Sequence, residues 1–260
     1  MKSITKVTLL LATAAVGHAV HAAPITRMVG NWHFDQERGQ VLQDSSGFGR
    51  NGTLGDTGGI EATDPVWIKR RFDNAALSFD GNQFVKVSHA RHLEPQAISV
   101  EAWVKPGEAP VSALPVVAGK GVDNDCGFSA YALYIHSEGE STPGEPYFYV
   151  AGGTAEQPYI ESPAGPNLLD GQWHHLVGTY DRNAIRLYVD GVEAGTGTAH
   201  SAPIPYASFI NKDLYIGKAD GSIDTCPNLN NGNYVGEIDE VRIWNKALTP
   251  TEVAQRYLGY

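Results

Sequence analysis

Two cysteines in 260 residues, Cys126 and Cys226, are too few for the dense disulfide framework of small secreted folds. They also lack partners at the spacing of a zinc site or a cysteine nucleophile. Long helical periodicity is nearly absent, and with it a fold built on helices. Beyond the first residues no apolar run is long enough to cross a bilayer. Basic residues are in deficit: 19 Lys and Arg against 29 Asp and Glu give a formal charge of −10. That balance argues against nucleic acid as a partner and supplies no polybasic patch for anionic membrane. The nucleophile elbow, the phosphate-cradling Gly-rich loop and His-Glu-x-x-His are missing too.

What is present is the grammar of strands. Val, Ile, Tyr, Phe and Trp fall in short runs between Gly, Pro, Asn and Asp clusters, which is the pattern of an all-β chain. Ile98, Val100, Ala102 and Val104 alternate with Ser99, Glu101, Trp103 and Lys105, and Pro106-Gly107 ends that strand. Residues 171–195 read as a hairpin: Trp173 and Val177 suit a packed face, Asp181-Arg182-Asn183 makes the turn, and Ile185, Leu187 and Val189 return. Residues 55–75 read as irregular, with Trp67 covering the fold. Near the end, Thr249-Pro250-Thr251-Glu252 has the N-cap, first-turn Pro and capping-box Glu of a short helix. At the start, Lys2 and Lys6 precede an apolar run from Val7 to Val16, and Val20-His21-Ala22 offers a cleavage site. Residues 1–22 therefore read as a signal peptide and 23–260 as one domain, secreted or periplasmic. Losing two lysines and no acids takes the charge of the mature chain from −10 to −12.

The segments LSFDGNQFVKV, ISVEAWVKP, GQWHHLVGTYDRNAIRLYVDG, LYIGKADG and VGEIDEVRIWNKALTPTEVAQRY, in this order, resemble the laminin-G-like jelly-roll domain of the concanavalin A-like lectin/glucanase superfamily. The resemblance spans Asn31 to Tyr257. It implies an antiparallel two-sheet β-sandwich with a short C-terminal helix, and a lectin-like module for a polysaccharide or cell-surface glycan. It also implies a Ca²⁺ ion gathered by Asp44, Asp80 and Asp239, with Asp220 resembling one acid of the pentraxin calcium loop, although Lys218 and Ala219 stand where that loop has further oxygen ligands. The glucanase carboxylate motif is not matched. In Glu237-Ile238-Asp239-Glu240-Val241-Arg242, Glu240 has the wrong parity and the second Glu is replaced.

Two regions are candidates for binding. The loops around Asp123 and Asn124, and around Asn230 and Asn233, are rich in Asp, Asn and Gly, and each holds one cysteine. An even pair in an exported chain favours a Cys126–Cys226 disulfide that would clamp them. The second region is a strand face. If the apolar sets of YALYIH and YFYVAG turn inward, then Tyr134, His136, Tyr147 and Tyr149 turn outward. Consecutive strands usually pair, which extends this face to Arg186 and Tyr188 with His174 or His175 nearby. Rings, imidazoles and a guanidinium suit sugar stacking. An alternative is a polysaccharide lyase using Tyr134, His136, Tyr149, His175 and Arg186 on an acidic glycan. A structural adhesion module fits the same strands.

Overall fold

The computed structural model describes residues 27–70, 74–107, 115–123, 128–136, 141–219 and 233–259. Strands are numbered in chain order and form two antiparallel sheets. The first sheet holds β1 (Met28–Trp32), β4 (Val66–Lys69), β5 (Ala75–Asp80), β7 (Ile98–Pro106), β12 (His174–Tyr180), β13 (Ala184–Val189), β14 (Val192–Glu193), β15 (Thr198–Ala199) and β17 (Val235–Trp244). The second holds β2 (Val41–Leu42), β3 (Gly52–Leu54), β6 (Val85–Val87), β8 (Val116–Asp123), β9 (Tyr131–Ile135), β10 (Pro146–Ala151), β11 (Tyr159–Glu161) and β16 (Phe209–Ile216). Their orders are β14-β13-β12-β7-β17-β5-β4 and β11-β10-β9-β8-β16-β6-β3-β2, with β1 beside β17 and β15 beside β13. A single α-helix among the described residues, α1 (Pro250–Leu258), follows.

Alternation decides which side chains meet between the sheets. Val100, Ala102 and Val104 of β7 face Leu133, Phe148 and Val150 of the second sheet in one continuous core, which also takes in Leu176, Tyr180, Ile185 and Leu187. Val177 corrects the sequence reading. It lies on the opposite side of β12, clustered with Tyr188, Leu248 and Val253 beneath α1. Period two alone cannot separate these faces, because the helix buries the outer one as well. The region read as irregular contains β4, paired to β5 from Val66–Ser78 to Lys69–Ala75. Trp67 does cover the core, and its indole N–H donates to the Gly39 carbonyl at 2.9 Å.

The closing segment carries the longest strand. β17 pairs with β7 along its length, with β5 through Val235–Ile238 and with β1 through its second half. The register shifts between Asp239 and Arg242, where Glu240 takes φ +55°. Such a bulge turns the strand and re-aims its side chains. The helix then starts as its sequence dictates: the Thr249 hydroxyl accepts from Glu252 N and the Glu252 side chain answers at the Thr249 N–H, with Pro250 in the first turn.

Candidate functional site

The outer side of the second sheet carries an aromatic tier. On β9, Tyr131, Leu133 and Ile135 join the core, so Ala132 and Tyr134 turn outward. The antiparallel register puts Tyr147 opposite Tyr134 and Tyr149 opposite Ala132, while Glu161 of β11 lies opposite Tyr149. Tyr134 and Tyr149 are buried at the base, and Tyr147, Tyr159 and Phe128 pack over them half-buried. The ring centroids of Tyr134 and Tyr147 are 5.5 Å apart at 20°, and His136 stacks on Tyr147 at 4.3 Å. Tyr149 lies 4.8 Å from Tyr159, and Phe128 lies 5.8 Å beyond. These spacings are those of mutually supporting aromatic pairs.

Polar groups frame the rings. The Tyr147 hydroxyl donates to Glu145 Oε2 at 3.1 Å, and Thr142 Oγ1 lies 2.8 Å from His136 Nδ1. The Tyr134 hydroxyl donates to Glu161, and the Tyr149 hydroxyl accepts from Ser129 N at 2.9 Å. Burial, and then the Glu161 carboxylate, push the Tyr134 hydroxyl far above the ordinary phenol range. Burial takes Tyr149 up to about 12 against the opposing pull of the Ser129 N–H. Burial likewise raises Tyr147. All three remain neutral phenols, suited to stacking and hydrogen bonding and shifted the wrong way for abstracting a proton near neutral pH.

The topology corrects the single wide face expected from sequence. Arg186, Tyr188 and His175 belong to the first sheet, because the chain crosses between sheets after β11 and β12 pairs with β7. Arg186 is engaged by Asp181 at 3.3 Å and Glu193 at 3.1 Å. Tyr188 is buried under α1. His175 is fully buried, its Nε2 3.1 Å from Glu101 Oε1. The lyase constellation of Tyr134, His136, Tyr149, His175 and Arg186 is therefore split between two sheets and does not converge.

The proposed calcium acids do not converge either. Asp44 accepts from the backbone N–H groups of Asn31, Ser46 and Arg50 and from the Ser46 hydroxyl, all within 3.0 Å. Asp80 caps its own turn at Asn82 N, 3.1 Å away. Asp239 is buried against Arg70 at 2.6 Å. No group of three or more His, Cys, Asp or Glu among the described residues could hold a metal ion. These three acids therefore do not fit a shared calcium site.

Of the remaining expectations, Asp220, Asn124, Asn230, Cys126, Cys226 and residues 1–22 lie outside the described residues. Asp123 ends β8 opposite Phe209, and Asn233 precedes Tyr234, whose N–H donates to the Gly217 carbonyl. Phe128 and Ala219, each close in sequence to one of those loops, both pack against the aromatic tier. The sequence reading missed Tyr159 and Glu161, although Tyr-Ile-Glu between Pro158 and Pro163 has the same alternation as its neighbour β10. It also missed Glu145 and Thr142, which no periodicity marks.

Residues 79–254 match the family model described as the concanavalin A-like lectin/glucanases superfamily. The chain belongs to this superfamily. Human pentraxin-4 is 27% identical over 168 residues, 63% of this chain and 32% of that protein, so the chain spans about a third of its relative's length. Among solved structures, domain 4 of AbnA, a GH43 extracellular arabinanase from Geobacillus stearothermophilus in complex with arabinotriose, superposes with a TM-score of 0.58 at 20% identity, covering 88% of this chain and 98% of that one. Trypanosoma rangeli sialidase in complex with sialic acid gives 0.60 at 15% identity, covering 89% of this chain and 33% of the sialidase. At these identities the structures show a shared fold and nothing finer.

Proposed function

We propose that the protein is a lectin-like module that binds a carbohydrate on the outer aromatic tier of the second sheet. The stacked His136–Tyr147 pair carries the reading: two half-buried rings 4.3 Å apart, supported from below by buried Tyr134 and Tyr149. Rings held by a packed layer lose little freedom when a sugar stacks on them. Glu145, Thr142 and Glu161 add acceptors and a hydroxyl at the margin for sugar hydroxyls. One neighbour supports the class of ligand, since the arabinanase domain, matched over 98% of its length, is in complex with arabinotriose. One fold hosts many functions, so the test is direct. A glycan array probed with the full exported protein should light up at one or more glycans, with Tyr147→Ala weakening the signal about tenfold while the fold is retained. A blank array overturns the reading, and capture of an exported protein partner with a blank array installs the adhesion alternative.

Export, a Cys126–Cys226 bridge and calcium are separate proposals resting on the sequence alone. The mass of the exported protein, with and without reduction and alkylation, tests the first two. Thermal unfolding in calcium and in chelator tests the third, and coincident midpoints remove the ion from the account.

A further inference from the structure

On the other side of the sandwich, between the last strand of the first sheet and α1, a cleft of about 470 Å³ is lined by Arg242, Trp244, Leu248, Glu252, Gln255 and Arg256. That volume is in the range of small-molecule sites, about 300–1,000 Å³. Behind three of these residues lies a buried carboxylate, Glu101, which accepts from Arg242 Nη1 at 3.1 Å, Arg256 Nε at 2.5 Å and Trp244 Nε1 at 3.3 Å.

The two guanidinium groups differ in what they have left. Arg242 uses Nε on Asn31, Nη1 on Glu101 and Nη2 on Glu240. Arg256 pairs with Glu101 through Nε, and its terminal nitrogens make no hydrogen bond among the described residues. Its guanidinium is nonetheless fixed, with Glu101 behind it and the Trp244 ring 4.9 Å away. The Gln255 amide, exposed on the adjacent helix position, is likewise unengaged.

The carboxylates, by contrast, are spent. Glu101 and Glu240 face the two arginines, and Glu252 takes Lys246 together with the N–H and hydroxyl of Thr249. The charges balance, and the unused side-chain capacity leans to donors: the terminal nitrogens of Arg256 and the Gln255 amide nitrogen, with the Gln255 carbonyl oxygen the one unengaged acceptor. A neutral sugar needs acceptors for its hydroxyl protons, whereas a carboxylate brings its own and fits the two terminal nitrogens of an arginine side by side. Trp244 and Leu248 provide an apolar wall for the body of such a ligand.

We propose that this cleft is a second binding site, independent of the aromatic tier, for a carboxylate-bearing sugar of hexuronate size held by the free edge of Arg256. Calorimetric titration of the full protein with sodium glucuronate should show saturable binding, and glucose at the same concentrations should show none. Arg256→Lys keeps a cation near Glu101 but loses the paired edge, and should weaken glucuronate at least tenfold. Gln255→Trp, at an exposed position without partners, should block the cleft while circular dichroism stays unchanged. Tyr147→Ala, on the opposite sheet, should leave glucuronate affinity as it was. The proposal is overturned by absence of saturable heat, by equal affinity for glucose, by full affinity in Gln255→Trp, or by loss of binding in Tyr147→Ala.

Discussion

Glu101 sits in the first sheet at 1% exposure with four nitrogen donors on its two oxygens: His175, Arg242, Trp244 and Arg256. Burial alone would raise its pKa. Hydrogen bonds from His175 and Arg256, and the charges of Arg242 and Arg256, outweigh that and hold the carboxyl at about 2. His175 Nδ1 is buried with no partner among the described residues, so Nε2 is assigned the proton and donates to Glu101. Removing one member of a buried charge group leaves the others uncompensated, and Glu101→Gln should cost about 3–5 kcal/mol. Because the folded-state value lies below the ordinary 4.5, the stabilisation is present at neutral pH and is lost as pH falls through about 2. Denaturant titrations of wild type and Glu101→Gln should therefore converge at the acid end, and a gap that persists there would refute the charge argument. His174 has the opposite sign. Burial lowers it, but Asp190 at 2.8 Å and Asp170 at 3.0 Å raise it above 6.5 overall. Its contribution is full below that value and fades as pH rises through the elevated one. His174→Gln should thus lose stability at pH 6, by less than about 1 kcal/mol given its half-exposed partners, and little at pH 9.

Among the elements, the capping box of α1 and the Asp181 turn were legible because both are local. Asp181 Oδ1 accepts from Asn183 N and Ala184 N at 2.8 and 2.7 Å, and Arg182 takes φ +69° between them. The faces of β12 were not legible, because what buries Val177 and His175 is a helix some seventy residues later. Gly178 shows the same dependence on distant chain. A Cβ there would stand 2.1 Å from Cγ of Phe148, a residue of the opposite sheet, so the strand carries a glycine where that ring presses on its backbone. Gly178→Ala should destabilise the protein by about 1–3 kcal/mol through overpacking, read as a lower urea midpoint. An unchanged midpoint would mean that the sheets part there without cost.

For the whole molecule, the family resemblance implied the two sheets, and alternation in the Tyr131–Tyr149 strands was enough to anticipate an outward set of rings. Between β9 and β13 the rule that consecutive strands pair then failed at one place, the crossover between β11 and β12, and that step put Arg186, Tyr188 and His175 on the far sheet. The tyrosines and His136 of the expected site accordingly form one surface, whereas His175 belongs to the buried Glu101 cluster, Tyr188 packs beneath α1, and Arg186 sits partly exposed between Asp181 and Glu193. Tyr159, Glu161 and Glu145 complete the surface that remains. The central claim is that this tier binds sugar, and affinity for the strongest array ligand, measured calorimetrically for wild type, Tyr147→Ala and Arg256→Lys, tests it most directly. The account predicts about tenfold loss in Tyr147→Ala, the magnitude of one stacked ring, with wild-type affinity in Arg256→Lys; undiminished binding in Tyr147→Ala with its fold intact would contradict it.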